Sequence, residues 1–200
     1  MATASGSQSV LDIEQKIAIA KQKKDTADQS FKANNSKDAL RAYHEALMYL
    51  IGIDKNAMKS MGMSQPVDES AKNKEEKTEV DEIVEKIYAN MSACHLKNGN
   101  YQRALETANK ALAKNEANYK AMFRKGKALG ELGYFEKAQK VLDELVSKNP
   151  DDAVIVTAEL NRLRAIDRER EKAQNKKLKG FLTKEKKPAP TAASEPVPTP

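Results

Sequence analysis

The sequence predicts an all-α fold: three helix–turn–helix units stacked side by side, closed by a long C-terminal capping helix. Three observations carry this expectation. Residues 85–118 and 119–152 align without a gap at an offset of 34. Apolar residues recur at steps of three, four and seven, the period of one helix face. The composition, 40% hydrophobic and 32% charged over 200 residues with only 8 Gly and 7 Pro, suits helices with wide solvated surfaces.

The first unit is the least regular. "SKDALRAYHEAL" at 36–47 matches "NYQRALETANKAL" at 100–112, with Ala39 standing 65 positions before Ala104. That is one repeat plus about 31 extra residues, so a repeat starts near Ala20 and runs to about residue 53. Its second helix is expected to extend through Met48, Leu50 and Ile51. The extra residues form an insertion, 54–84, that begins as a loop around Gly62 and Pro66. Val80, Ile83, Val84, Ile87, Tyr88 and Met91 then mark one helix face, so the first helix of the second unit starts early and is long.

The second and third units share a plan. Ser92 aligns with Gly126 and Ala104 with Ala138, small residues that let two helices approach closely. Gly99 aligns with Gly133, where a permissive backbone ends the first helix. Tyr101 and Phe135 wedge each pair apart on the other side, and Asn115 aligns with Asn149.

A last helix runs from about Ala153 to at least Lys176. Val154, Ile155, Ala158, Leu160, Leu163 and Ile166 give it an apolar stripe near its start. The expected organisation is a flexible N-terminus at 1–12, a repeat domain with its capping helix at 13–176, and a basic, then Pro-rich, disordered tail at 177–200.

Charge is unevenly spread. Arg162–Lys187 holds eleven Lys and Arg against four Asp and Glu, a surplus of seven, whereas the whole chain carries +6. The body is close to neutral. A solvated, fraying helix explains the basic end. A docking segment for an acidic partner is the functional alternative, with Leu178, Phe181 and Leu182 as an apolar edge. Nucleic-acid binding is not expected, since no reading helix or stacking aromatics accompany the lysines.

Other chemistry is scarce. No apolar run approaches the ~20 residues of a membrane helix, and the N-terminus does not read as a signal peptide. The lone Cys94 fits a reducing compartment and a buried helix interface, and the expected location is the cytoplasm or nucleus. His44, expected to be partly exposed, and His95, expected in the core, stand far apart in the repeat array and make no metal or catalytic pair. No phosphate-binding glycine loop occurs. No enzyme activity, catalytic residue, metal or cofactor is expected.

The 34-residue offset with these small and aromatic positions resembles the tetratricopeptide repeat over residues 20–152. "ANMSACHLKNGNYQRALETANKAL" and "YKAMFRKGKAL" look like the repeat module of the large FK506-binding immunophilins, although the sequence leaves no room for their isomerase domain. "YHEALMYLIGID" and the isolated three-repeat layout resemble the tetratricopeptide repeat protein 9 family.

These resemblances imply a right-handed superhelix with a concave groove lined by first helices. They imply a non-enzymatic, co-chaperone-like adaptor whose ligand is a protein or peptide, such as the acidic C-terminus of heat shock protein 90 or heat shock protein 70. Five groove residues hold such carboxylates in related modules. By repeat position they fall here on Lys24, Asp28, Asn90, Lys120 and Arg124. Four match the expected type; Asp28 stands where Asn is usual, and it either repels a ligand carboxylate or pairs with Lys24 four residues earlier and weakens the clamp by competition. Ala27 and Ala93 are expected to leave room for the peptide.

The geometry of the sequence supports convergence. Lys120 and Arg124, four residues apart, differ by about 40° around a helix, and Arg offers a planar fork to carboxylates. A solvated helix face is the plainer reading of either residue alone. A repeat scaffold for a cytoskeletal or membrane-associated partner, or an immunophilin-like protein lacking isomerase activity, remains the alternative function.

Overall fold

The computed structural model describes residues 4–51, 53 and 78–184. Among the described residues seven α-helices follow in order: α1 (Ala4–Lys32), α2 (Ser36–Ile51), α3 (Glu79–Lys97), α4 (Tyr101–Lys114), α5 (Tyr119–Glu131), α6 (Phe135–Lys148) and α7 (Ala153–Lys184). A 3-10 turn, Pro150–Asp152, leads into α7. The pairs α1–α2, α3–α4 and α5–α6 are the three expected units, and α7 closes the array against α5 and α6.

One backbone device makes all three helical hairpins. Asn34, Gly99 and Gly133 have φ of 70°, 71° and 91°. In each hairpin the residue after this one donates its N–H five positions back: Asn35 to Ser30, Asn100 to His95, Tyr134 to Leu129, each at 2.9 Å. The left-handed residue bonds three back at 3.0–3.1 Å, which completes a Schellman cap. Repeat one uses Asn where the others use Gly, because Asn tolerates this region better than most residues.

Packing explains why the small positions are small. A Cβ on Gly126 would lie 2.5 Å from Leu142 Cγ, a fully buried side chain on α6. Ser92, its counterpart, is also fully buried. Two cores result. One joins Ala39, Tyr43, Ala46 and Leu50 of α2 to Val80, Val84, Ile87, Met91 and Cys94. The other joins Met122, Leu129, Leu142 and Leu145 to Val156 and Leu163. Ala89, Ala111 and Ala121 pack between them. Each unit thus buries its face only against its neighbours, as a solenoid does.

Local signals set the boundaries. Thr78 and Asp81 form a reciprocal capping box that starts α3 at Glu79. Asn118 caps α5, its Oδ1 accepting from the Ala121 N–H at 2.9 Å. Buried Glu85 accepts from the Asn115 and Asn118 amides at 2.7 and 2.8 Å, which locks α3 to the α4–α5 connection.

The structure corrects several expectations. α1 begins at Ala4, so helix extends across most of the 1–12 segment expected to be flexible. α7 continues through Lys184, past the expected start of the tail at 177. Its buried stripe is rotated: Val156, Glu159 and Leu163 face the array, while Val154, Ile155 and Ala158 are exposed. The rotation is fixed by Arg162, which pairs with Glu131 and Glu159 at 2.6 Å each. Arg170 further on donates to the Gly130 and Glu131 carbonyls at the end of α5. From Arg168 to Phe181 every residue is exposed. The loop expected around Gly62 and Pro66, Leu182 and the Pro-rich stretch fall outside the residues whose side chains are described.

Candidate functional site

The first helices of the three units, α1, α3 and α5, neighbour one another and carry all five residues singled out by repeat position. The structure gathers them into two adjoining groups.

The first group centres on Asp28 of α1. Lys24, one turn earlier, places its ammonium 2.7 Å from Asp28 Oδ2. The Asn90 amide of α3 donates to Asp28 Oδ1 at 2.9 Å. The Tyr43 hydroxyl of α2 donates to the same oxygen. Burial pushes the Asp28 carboxyl up, but the bonds from Lys24 and Tyr43, the Lys24 charge and the Asn90 amide together hold it below the usual carboxylate range. Burial and then the Asp28 bond keep Tyr43 protonated, its pKa well above normal. Lys24 and Asn90 are therefore already spent on an internal anion.

The second group lines a cleft of about 580 Å³ between α3, α5 and the start of α7. Its cations are Lys97, Lys120, Arg124 and Lys127, against a single acid, Asp152. Its apolar walls include Leu96, Phe123 and Ile155. Arg124 is aimed by one bond, Nη1 to the Ala89 carbonyl at 2.6 Å. Burial lowers its pKa from the usual arginine value, yet a guanidinium remains charged at any physiological pH. A partly desolvated cation of this kind attracts an anion more strongly than one in water.

Some placements differ from expectation. Ala93 lines the cleft, but Ala27 is fully buried and offers no room to a ligand. Cys94 lies beneath the site, its thiol pushed up to about 11 by burial despite the opposing fields of Arg124 and Lys97. His44 and His95 are not far apart. His95 feels the charge of His44, and both face Arg103, across the fold between repeats one and two. Burial lowers both, and they stay neutral at physiological pH. Among the described residues no group of three or more His, Cys, Asp or Glu is placed to hold a metal.

Tyr43, Lys97, Lys127 and Ile155 were missed. Lys127 had a signal, since it occupies the ninth position of its repeat, one that faces a groove. Tyr43 lies on a second helix and Ile155 on α7, so no first-helix rule reaches them.

The fold is that of tetratricopeptide-repeat domains. A family model for the tetratricopeptide repeat matches residues 95–160. The Arabidopsis thaliana peptidyl-prolyl cis-trans isomerase FKBP42 is 29% identical over 169 residues, 84% of this chain and 41% of that one. The Saccharomyces cerevisiae Hsp70/Hsp90 co-chaperone CNS1 is 35% identical over 98 residues, 48% of this chain and 24% of that one. The human zinc finger CCCH domain-containing protein 7A is 37% identical over 75 residues, 38% of this chain and 8% of that one. The chain therefore spans less than half the length of each of these relatives.

Solved structures share the fold. The C-terminal repeat domain of a Plasmodium falciparum FK506-binding protein superposes with a TM-score of 0.62 at 23% identity, over 80% of this chain and 95% of that one. Yeast Cns1 gives 0.60 at 24%, over 84% and 45%. The first repeat domain of Spaghetti (RPAP3), bound to the HSP90 peptide SRMEEVD, gives 0.52 at 18%, over 74% and 95%. These likenesses are of fold.

Proposed function

We propose that this chain is a co-chaperone-like adaptor whose groove binds acidic peptides, including the C-terminal peptides of heat shock protein 90 or heat shock protein 70. The observation that carries this reading is the cleft between α3, α5 and α7, where Lys97, Lys120, Arg124 and Lys127 surround apolar walls. Lys120 and Arg124 grip the ligand's carboxylates, and Lys24 and Asn90 border the same groove. Phe123 and Ile155 accept an apolar side chain. RPAP3, whose domain shares this fold, holds the HSP90 peptide SRMEEVD, which supplies the probe.

The tetratricopeptide repeat protein 9 family is the particular relationship we infer, from the "YHEALMYLIGID" segment and the three-repeat layout. We place the protein in the cytoplasm. Asp28 favours a second reading, a scaffold for a non-chaperone partner. Two unit charges ~4 Å apart repel by roughly 1 kcal/mol in water and about 4 at an effective dielectric of 20.

Calorimetry with SRMEEVD at low salt tests the reading. Binding is expected, weakened about tenfold or more by Arg124→Ala and progressively by added salt. Absence of binding at low salt, or affinity indifferent to Lys120→Ala and Arg124→Ala, would sink it and leave the scaffold.

A further inference from the structure

The polar groups of the groove divide by what they already hold. Lys24, Asn90 and Tyr43 all donate to one carboxylate, Asp28, which belongs to the protein itself. An incoming carboxylate at that point meets an ionised side chain and donors that are taken. The open cations lie elsewhere: Lys120, Arg124 and Lys127 along α5, and Lys97 beside Phe31 on the facing helix end, 5.1 Å from its ring centroid.

The spread of these cations carries a second message. Seven residues of helix separate Lys120 from Lys127, a rise of about 10 Å. An extended peptide presents side chains on one face about every 7 Å. Two acidic side chains, two positions apart, cover about 7 Å of that ~10 Å row before their own reach is added. A single terminal residue, with both carboxylates on one Cα, does not.

We propose that the groove recognises an extended acidic segment through its side-chain carboxylates, with no need for a free chain terminus, and that Asp28 sets this preference by keeping Lys24, Asn90 and Tyr43 for itself. The inference rests on the peptide-binding reading above and widens its ligand class. Acidic stretches inside a partner chain qualify as well as acidic ends.

The test uses SRMEEVD with a free C-terminus and the same peptide as its C-terminal amide, titrated into the full chain at low salt. For the wild type the two dissociation constants are expected to agree within about threefold. Asp28→Asn frees Lys24 and makes position 28 neutral, so the free acid should become preferred by about tenfold or more. Lys120→Ala should weaken both forms alike. A wild type that prefers the free acid tenfold overturns the inference but leaves the peptide groove standing. So does an Asp28→Asn ratio equal to that of the wild type. If neither form binds, the peptide-groove reading fails, and the inference with it. Circular dichroism melting establishes that Asp28→Asn is folded; should it not fold, the wild-type ratio alone decides.

Discussion

The Asn90 amide lies 2.9 Å from Asp28 Oδ1, a bond between α3 and α1 that closes across 62 positions of chain. It joins repeats one and two at the floor of the groove, and it turns two residues expected to meet a ligand toward each other.

Tyr43 buries completely and donates to the same Asp28 oxygen. Tyr43→Phe keeps the ring and removes one bond to an ionised acceptor, while Lys24 and Asn90 still hold Asp28. A loss of about 1–3 kcal/mol is expected, since hydrogen bonds to charged groups contribute in that range. Urea unfolding at neutral pH measures it. An unchanged midpoint would show that the hydroxyl contributes nothing.

Acid sensitivity should come in two steps. Burial, with the nearby Arg103 charge, lowers His44 and His95. A His with a depressed folded pKa favours the folded state while neutral, so its contribution is full above ~6.5, the unfolded value, and declines as pH falls below it. Despite burial, Asp28 and Asp81 are held below the carboxylate range, Asp81 chiefly by Lys114 and Thr78. Their contribution is full above ~4 and is lost as pH falls through the folded pKa. Melting temperature should fall gently from about pH 6.5 and steeply below about pH 4. His95→Gln should flatten only the upper step; a wild-type curve level from pH 7 to 5 would contradict the assignment.

Glycines in two helices should respond oppositely to alanine. At Gly126 the new Cβ meets Leu142 Cγ at 2.5 Å in a sealed core, so overpacking should destabilise by about 1–3 kcal/mol, more than the helix propensity gained. A Cβ added at Gly180 would meet nothing within 4 Å, so the same change should stabilise α7 by up to about 1 kcal/mol. Paired denaturation curves decide.

Arg170 clasps α7 to the end of α5, bonded to the Gly130 and Glu131 carbonyls at 2.9 and 2.7 Å. It satisfies acceptors at the C-terminus of α5, where cations are favoured. Arg170→Ala should speed amide exchange in α7 beyond residue 163 about tenfold or more, with little change in α1–α4. Equal exchange in the two proteins would mean that the Arg162 pairs suffice.

The sequence by itself determined the repeat. Its offset, its turn glycines and its small positions follow from local geometry: a left-handed turn residue or a missing Cβ is required wherever the same hairpin recurs. That also explains why Lys120 and Arg124, spaced one turn apart on one helix, could be placed together. Asn34 was less visible, because Asn serves the left-handed region less distinctively than Gly. The rotation of α7 was hidden, because Val154, Ile155 and Ala158 compete with Val156 for the face that carries Leu163, and Arg162 and Arg170 choose between them through partners on α5. The fate of Asp28 was hidden for the same reason. Its neighbour Lys24 could be read from spacing, but Tyr43 and Asn90 reach it from other helices. Whether a half-buried carboxylate repels a ligand or binds its own protein depends on donors brought in by packing, and only the tertiary structure supplies them.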